Sequence, residues 1–278
     1  GEEKVVQAAR QALAVLAADG VDAALVAALA AGEPAAQAEI VRALGTRKAA
    51  GAVPALLRTA RSEDRDLAKE SRRSLAVLTT PADLPELVAL LAEQTVASAR
   101  GELETILVAV AAQIEDDGAK TAAILPALAG ELPVKARASL LDVLGRIGAA
   151  SGLPALYAAL DDANEDVQRA AVRTLAENWP DAAPMPRLRE ISLNAGNQVL
   201  RVLSLRGYAR MLAMPSRRPM RETLGLYEEA LKLAKGEQEK RTLVTGLGDL
   251  CHPDALAFVK PYLDDPAVRE EALLAALK

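Results

Sequence analysis

Eight arginines fall between Arg187 and Arg221: Arg187, Arg189, Arg201, Arg206, Arg210, Arg217, Arg218 and Arg221. Glu190 is the single acid among them, so the segment carries a net +7 while the rest of the chain carries −12. A guanidinium is a planar fork of five N–H donors, suited to grasping carboxylates and phosphates. Arg206 and Arg210 are four residues apart, which on a helix places them on one face. Arg217, Arg218 and Arg221 surround a proline-bearing stretch, Pro215 to Pro219. The chemistry on offer is docking of an acidic peptide segment or another anion. The competing account is a solvated face neutralised by acidic neighbours.

A second basic pattern is periodic. Arg42, Arg73 and Arg173 sit three residues before Gly45, Ala76 and Ala176. Lys69, Arg169 and Arg241 sit seven residues before Ala76, Ala176 and Gly248. The two registers differ by four, so they share a helix face. Stacked helices would turn them into a basic ladder that includes Arg169 and Arg173.

Catalytic constellations are hard to assemble from the remaining residues. The one histidine, His252, adjoins the one cysteine, Cys251, without any Cys-x-x-Cys or His-x-x-x-His spacing for a metal. His252-Pro253 reads as a turn before a helix. Glu115-Asp116-Asp117-Gly118 lacks the alternating oxygen ligands of a calcium loop. Gly246-Leu247-Gly248 follows no strand and is not a dinucleotide fingerprint. A Gly-x-Ser-x-Gly elbow is absent, and one histidine leaves little room for a Ser/His/Asp triad. Trp179, just before Pro180, reads as a core or turn residue rather than an exposed anchor. No catalytic residue, metal site or cofactor motif is assigned, and the expectation is a protein that is not an enzyme.

The 278 residues are 51% hydrophobic but 2% aromatic, so Leu, Ala and Val must fill the core. Small Ala side chains let helices approach closely, and runs of β-branched residues are nearly absent. A net charge of −5 argues against general binding to nucleic acid or to an anionic membrane, though not against a local basic patch. Gly1-Glu2-Glu3 is acidic where a secretion signal would be basic, and no stretch is long and apolar enough to span a bilayer. No compartment is assigned. The chain is expected to be monomeric.

The elements that must position these residues repeat. In Ala136 to Asp162, Ala136, Leu140, Val143, Leu144 and Ile147 form one helical stripe, and Leu153, Leu156, Tyr157 and Leu160 a second. Gly148 and Gly152 flank the break between them, Ser151 is the expected N-cap of the second helix, and Pro154 sits in its first turn. Leu-Gly pairs recur at 44–45, 144–145 and 247–248, the outer two 100 and 103 residues from the middle one. Pro54, Pro85, Pro126, Pro154 and Pro186 each precede a Leu by two residues. Intervals of about 33 residues belong to helix-pair repeats. The spacing predicts an orphan helix over 4–16, then pairs over 21–46, 51–78, 82–115, 119–148, 151–177, 184–213, 219–250 and 254–278. Asn164 and Asp265 are the expected N-caps after their Asp-Asp turns.

The pattern Pro-x-Leu-x-x-x-Leu, Asp-Asp turn, Val-Arg and Leu-Gly resembles HEAT repeats, in the bacterial form similar to phycobilisome-lyase HEAT-like repeats. The resemblance covers about residues 20–278. It implies an all-α fold: a right-handed α-α superhelix, or alpha solenoid, of about eight helix pairs plus the N-terminal orphan helix. With no long Gly/Ser/Pro linker, residues 1–278 read as a single solenoid domain. The unpartnered first helix and the last helix without a glycine stop lead to the expectation of a piece of a longer protein. The resemblance also implies that second helices line a concave, partner-facing surface, and that one arginine per repeat pairs with turn acids of its neighbour. The expected function is a non-catalytic scaffold for a protein or acidic peptide segment, with an accessory or regulatory domain of a larger protein as one form of it. The alternative is a HEAT-like enzyme resembling bilin lyases or DNA glycosylases; the acidic balance and six aromatics speak against the latter.

Overall fold

The computed structural model describes residues 2–16, 18–32 and 34–278, side chains excepted at 2–6, 34 and 35. The described residues are 76% helix and contain no strand. The chain divides into two compact units, Gly1–Gly152 and Leu153–Lys278.

The first unit opens with α1 (Glu2–Val15), followed by α2 (Val21–Ala31) with α3 (Pro34–Thr46), α4 (Val53–Thr59) with α5 (Arg65–Leu78), and α6 (Leu84–Glu93) with α7 (Ala97–Ala111). It closes with α8 (Asp117–Thr121), α9 (Ile124–Ala129) and α10 (Val134–Ile147). Second helices stack in sequence: α1 and α5 on α3, then α7 on α5 and α10 on α7. The second unit repeats the scheme with α11 (Leu153–Leu160) and α12 (Glu165–Arg173), α13 (Met185–Asn194) and α14 (Gln198–Leu212), α15 (Met220–Leu233) and α16 (Glu237–Gly248), and α17 (Pro253–Val259) and α18 (Arg269–Leu277). There α12, α14, α16 and α18 form the stacked layer. Each helix buries an aliphatic stripe it cannot bury alone, as with Leu140, Val143 and Leu144 on α10.

The helix pairs fall where the spacing predicts them, with local differences that have physical causes. The first helix of the fourth pair is broken into α8 and α9 around Ala122-Ala123. Pro126 lacks an amide proton, and its ring would press on the Ala122 carbonyl in a continuous helix. Pro261 does the same after α17, where Lys260–Asp264 tightens into a 3-10 turn. Asn164 caps α12 as expected, its Oδ1 accepting from Asp166 N at 2.9 Å. Asp265 does not cap α18: it accepts from Ala267 N within the preceding turn, and the helix starts at Arg269. Ser151 is not an N-cap either. It lies in the 3-10 turn Ala150–Gly152 and donates to the Asp117 carbonyl at 2.7 Å. Gly148 ends α10 at φ +66°, a left-handed conformation that favours glycine. The Leu-Gly landmarks mark close approach. A Cβ at Gly45 would meet Ser74 on the next second helix, and one at Gly248 would meet Ala275.

Candidate partner-binding surface

The arginine-rich segment folds into three environments rather than one patch. Arg201, on α14, is buried at 7% exposure and pairs through both ends of its guanidinium with Glu239 of α16, at 2.7 and 3.2 Å. Burial alone would raise the Glu239 carboxyl. The Arg201 pair and the amides of Lys235 and Gly236 outweigh it and hold the carboxyl below its usual range. Arg201 was expected to meet a partner; here its guanidinium is turned into the core, where Glu239 engages it.

Arg210 is committed in a different way. Helix α12 runs into a π-helical turn, Thr174–Asn178, and Trp179-Pro180 ends it. The loosened carbonyls need donors, and Arg210 supplies them. It donates to Ala176 O at 2.6 Å, Trp179 O at 2.9 Å and Leu175 O at 3.3 Å. Trp179 beneath is 1% exposed, its indole N–H donating to Asp181. This makes Arg210 a clamp on α12. Its partners are neutral, however, so no carboxylate offsets its charge. Burial pushes its guanidinium pKa down.

One turn away, Arg206 is exposed and makes no ion pair or hydrogen bond among the described residues. Arg206 and Arg210 line a groove of about 380 Å³ between α14 and α16, with Gln238, Arg241, Thr242 and Thr245 opposite. Two acids reach it, and each has a partner. Asp249 takes Lys278 at 2.5 Å, and Glu271 faces Arg241 at 3.7 Å. Arg241 also donates to Glu237 and to Ala267 O. On α12, Arg169 pairs with Asp166 at 3.3 Å, whereas Arg173 is exposed without an ion pair among the described residues.

The remaining arginines belong to the first-helix layer and its turns. Arg187, on α13, bridges Glu190 at 2.6 Å and Asp161 at 3.4 Å. Arg189 pairs with Glu229 of α15. Arg217 and Arg221 are exposed without ion pairs among the described residues, while Arg218 Nη1 is buried. Arg173, Arg206, Arg217 and Arg221 are thus the candidates left available to a partner.

In the first unit the basic ladder exists, but its rungs alternate in sign. Arg10 pairs with Glu39 at 2.5 Å, Arg42 lies between Glu39 and Glu70 at 2.8 and 3.1 Å, and Arg73 reaches Glu70 at 3.4 Å. Arg72 takes Glu102 at 2.6 Å. The acids come from the second helices themselves, not from the turns. A signal for them stands in the chain: Glu39-x-x-Arg42, Glu70-x-x-Arg73 and Asp166-x-x-Arg169 repeat the same acid-to-arginine step. A larger groove, about 730 Å³, lies beside α5 and α7. Four cations, Arg61, Arg65, Lys69 and Arg72, and four acids, Glu63, Asp66, Glu93 and Glu102, line it, with Arg61 paired to Glu93 at 2.6 Å and Arg72 to Glu102.

His252 behaves as a turn residue, its Nδ1 accepting from Asp254 N at 3.1 Å. Among the described residues no cluster of three His, Cys, Asp or Glu side chains could hold a metal, and no helix is long and apolar enough to cross a membrane.

The family model for HEAT repeats matches residues 22–107 and 121–207, more than half of the chain. The chain belongs to the HEAT-repeat family. The stacked pairs are thus HEAT units of an alpha solenoid. Among solved structures, human deoxyhypusine hydroxylase in complex with glycerol is similar at 18% identity and a TM-score of 0.37, covering 84% of this chain and 97% of that one. No curated protein matches the chain in sequence.

Proposed function

We propose that this HEAT chain is a non-catalytic scaffold that binds an acidic protein segment along α12, α14 and α16. The observation that carries the reading is the pair Arg206 and Arg210. Their charges stand one turn apart on one groove, and no carboxylate offsets either. Arg173 adds a third uncompensated charge on α12. Helical rise places Arg206 and Arg210 about 6 Å apart along the axis. Carboxylates at alternate positions of an extended peptide, about 6.8 Å apart, match that spacing. The larger groove in the first unit differs in having four acids, Glu63, Asp66, Glu93 and Glu102, among its four cations.

The test is fluorescence anisotropy with a labelled glutamate-rich peptide. Binding should weaken as salt rises, and Arg173→Glu with Arg206→Glu should lower affinity by at least about tenfold. Arg210 stays unchanged because it clamps α12. Equal affinity in the parent and the double variant, or tighter binding of duplex DNA of the same charge, would reject the proposal.

A further inference from the structure

Buried polar atoms without partners are rare in folded proteins, and a cluster of them points to a missing group. Among the described residues four such side-chain atoms occur, and three of them are Arg189 Nε, Tyr208 OH and Arg218 Nη1. These three share one neighbourhood in the second unit. Tyr208, on α14, is 1% exposed, and its hydroxyl feels Arg189 from α13, Glu229 from α15 and Arg218 from the α14–α15 loop. Arg189 approaches the hydroxyl, but no donor and acceptor there align as a hydrogen bond. Neighbouring groups do not fill the gap. Glu229 is engaged with Arg189 Nη2, and the Tyr227 hydroxyl is spent on Ala209 O at 3.3 Å.

The three orphan groups can all donate. Burial pushes the Tyr208 phenol up from its usual range, with Arg189 and Arg218 opposing and Glu229 assisting, so at neutral pH it keeps its proton. No acceptor in the cluster is aligned with any of the three. The cluster also lacks negative charge, since two guanidiniums face one carboxylate and leave a net +1.

We propose that Arg189, Tyr208 and Arg218 form a seat for one singly charged carboxylate. Two carboxylate oxygens offer about four lone-pair sites, enough for three donors. Their single charge matches the +1, whereas a doubly charged phosphate or sulfate would overshoot it and needs more room. The donors are covered, so the ligand enters as Arg218 swings out. Pro215, Ser216, Arg217 and Pro219 around it are exposed, so the Arg218 loop is the solvent-facing part of the wall. The seat stands on the first-helix side of α14 and is separate from the Arg206 groove.

The experiment is thermal melting of the full chain in sodium acetate against sodium chloride, phosphate and sulfate at matched ionic strength. Acetate should raise the melting midpoint above chloride by a few degrees in the parent and in Arg206→Glu. Tyr208→Phe keeps the packed ring and should abolish the acetate-specific rise without lowering the midpoint in chloride, because the hydroxyl it removes has no partner there. Arg218→Ala should also abolish the rise. Equal midpoints in acetate and chloride overturn the proposal, as does a rise confined to phosphate or sulfate. A Tyr208→Phe midpoint lower in every salt overturns it too, by showing that the hydroxyl is a structural partner.

Discussion

The two units carry the same HEAT helix pairs, but the arginines along α1, α3 and α5 find different partners from those along α14. In the first, Arg10, Glu39, Arg42, Glu70 and Arg73 alternate along α1, α3 and α5, so each of these three guanidiniums meets a carboxylate at the surface. In the second, Arg201 takes a carboxylate into the core, Arg210 takes carbonyls, and Arg173 and Arg206 take nothing among the described residues. Alternating charge ties neighbouring helices together and leaves little field for a visitor. Uncompensated charge does the reverse. A repeat fold can therefore keep one backbone plan and still differ in function along its length, according to where the acids are placed.

The largest difference should appear on breaking the buried pair. Glu239→Ala leaves Arg201 charged and unpaired in the core, which costs about 3–5 kcal/mol. Replacing both, as Arg201→Met with Glu239→Leu, should restore most of that loss, because the pair's attraction mainly offsets its own desolvation. Urea unfolding of the three variants checks this. If Glu239→Ala costs no more than an exposed rung of the first unit, the contrast between buried and surface pairing fails.

The clamp on α12 comes next. Arg210→Met removes a charged donor from three carbonyls at the end of the π turn, a loss of about 1.5–3 kcal/mol. Hydrogen exchange should localise it, with faster exchange at residues 174–179. Gly207→Ala should cost about 1–3 kcal/mol by overpacking. Its Cβ would lie 2.6 Å from the Ala176 Cα, and backbone cannot step aside as a side-chain tip can.

The pairs and their boundaries were legible because the repeat writes them many times: the Leu-Gly step, Pro before Leu and the acidic turn each recur. Breaks were less legible. Pro126 looked like one more member of the Pro-x-Leu series, yet it sits in the first turn of α9 and so divides the expected first helix of its pair in two. The site was half legible. Clustering along the chain brought Arg201, Arg206 and Arg210 together, but a helix turns by about 100° per residue. Three arginines within ten residues thus reach the core, a groove and a neighbouring helix end. Tertiary partners such as Glu239, 38 residues from Arg201, leave no local trace. The acids of the first unit did leave one, in the Glu-x-x-Arg step.

The smallest effects belong to that surface ladder. Glu39 accepts from Arg10 first and from Arg42 second, and these bonds hold its carboxyl below the usual range against the opposing pull of burial. A depressed carboxylate pKa stabilises the fold above the unfolded value near 4.3, and the contribution is lost as pH falls through the folded value. Solvent screens the pair, so Glu39→Gln should cost less than about 1 kcal/mol at pH 7. That cost should shrink further in 1 M salt, where the screening length is about 3 Å. The parent and Glu39→Gln midpoints should therefore differ slightly at pH 7 and converge toward pH 3. Glu239→Gln should converge with the parent over the same acid range from a much larger gap, since its carboxyl is depressed as well. A salt-insensitive Glu39 gap would place that rung with the buried pair and erase the distinction between the two faces. A salt-sensitive gap, beside a Glu239 gap that salt leaves unchanged, would show that identical residue types act by screening on one face and by desolvation in the other unit's core.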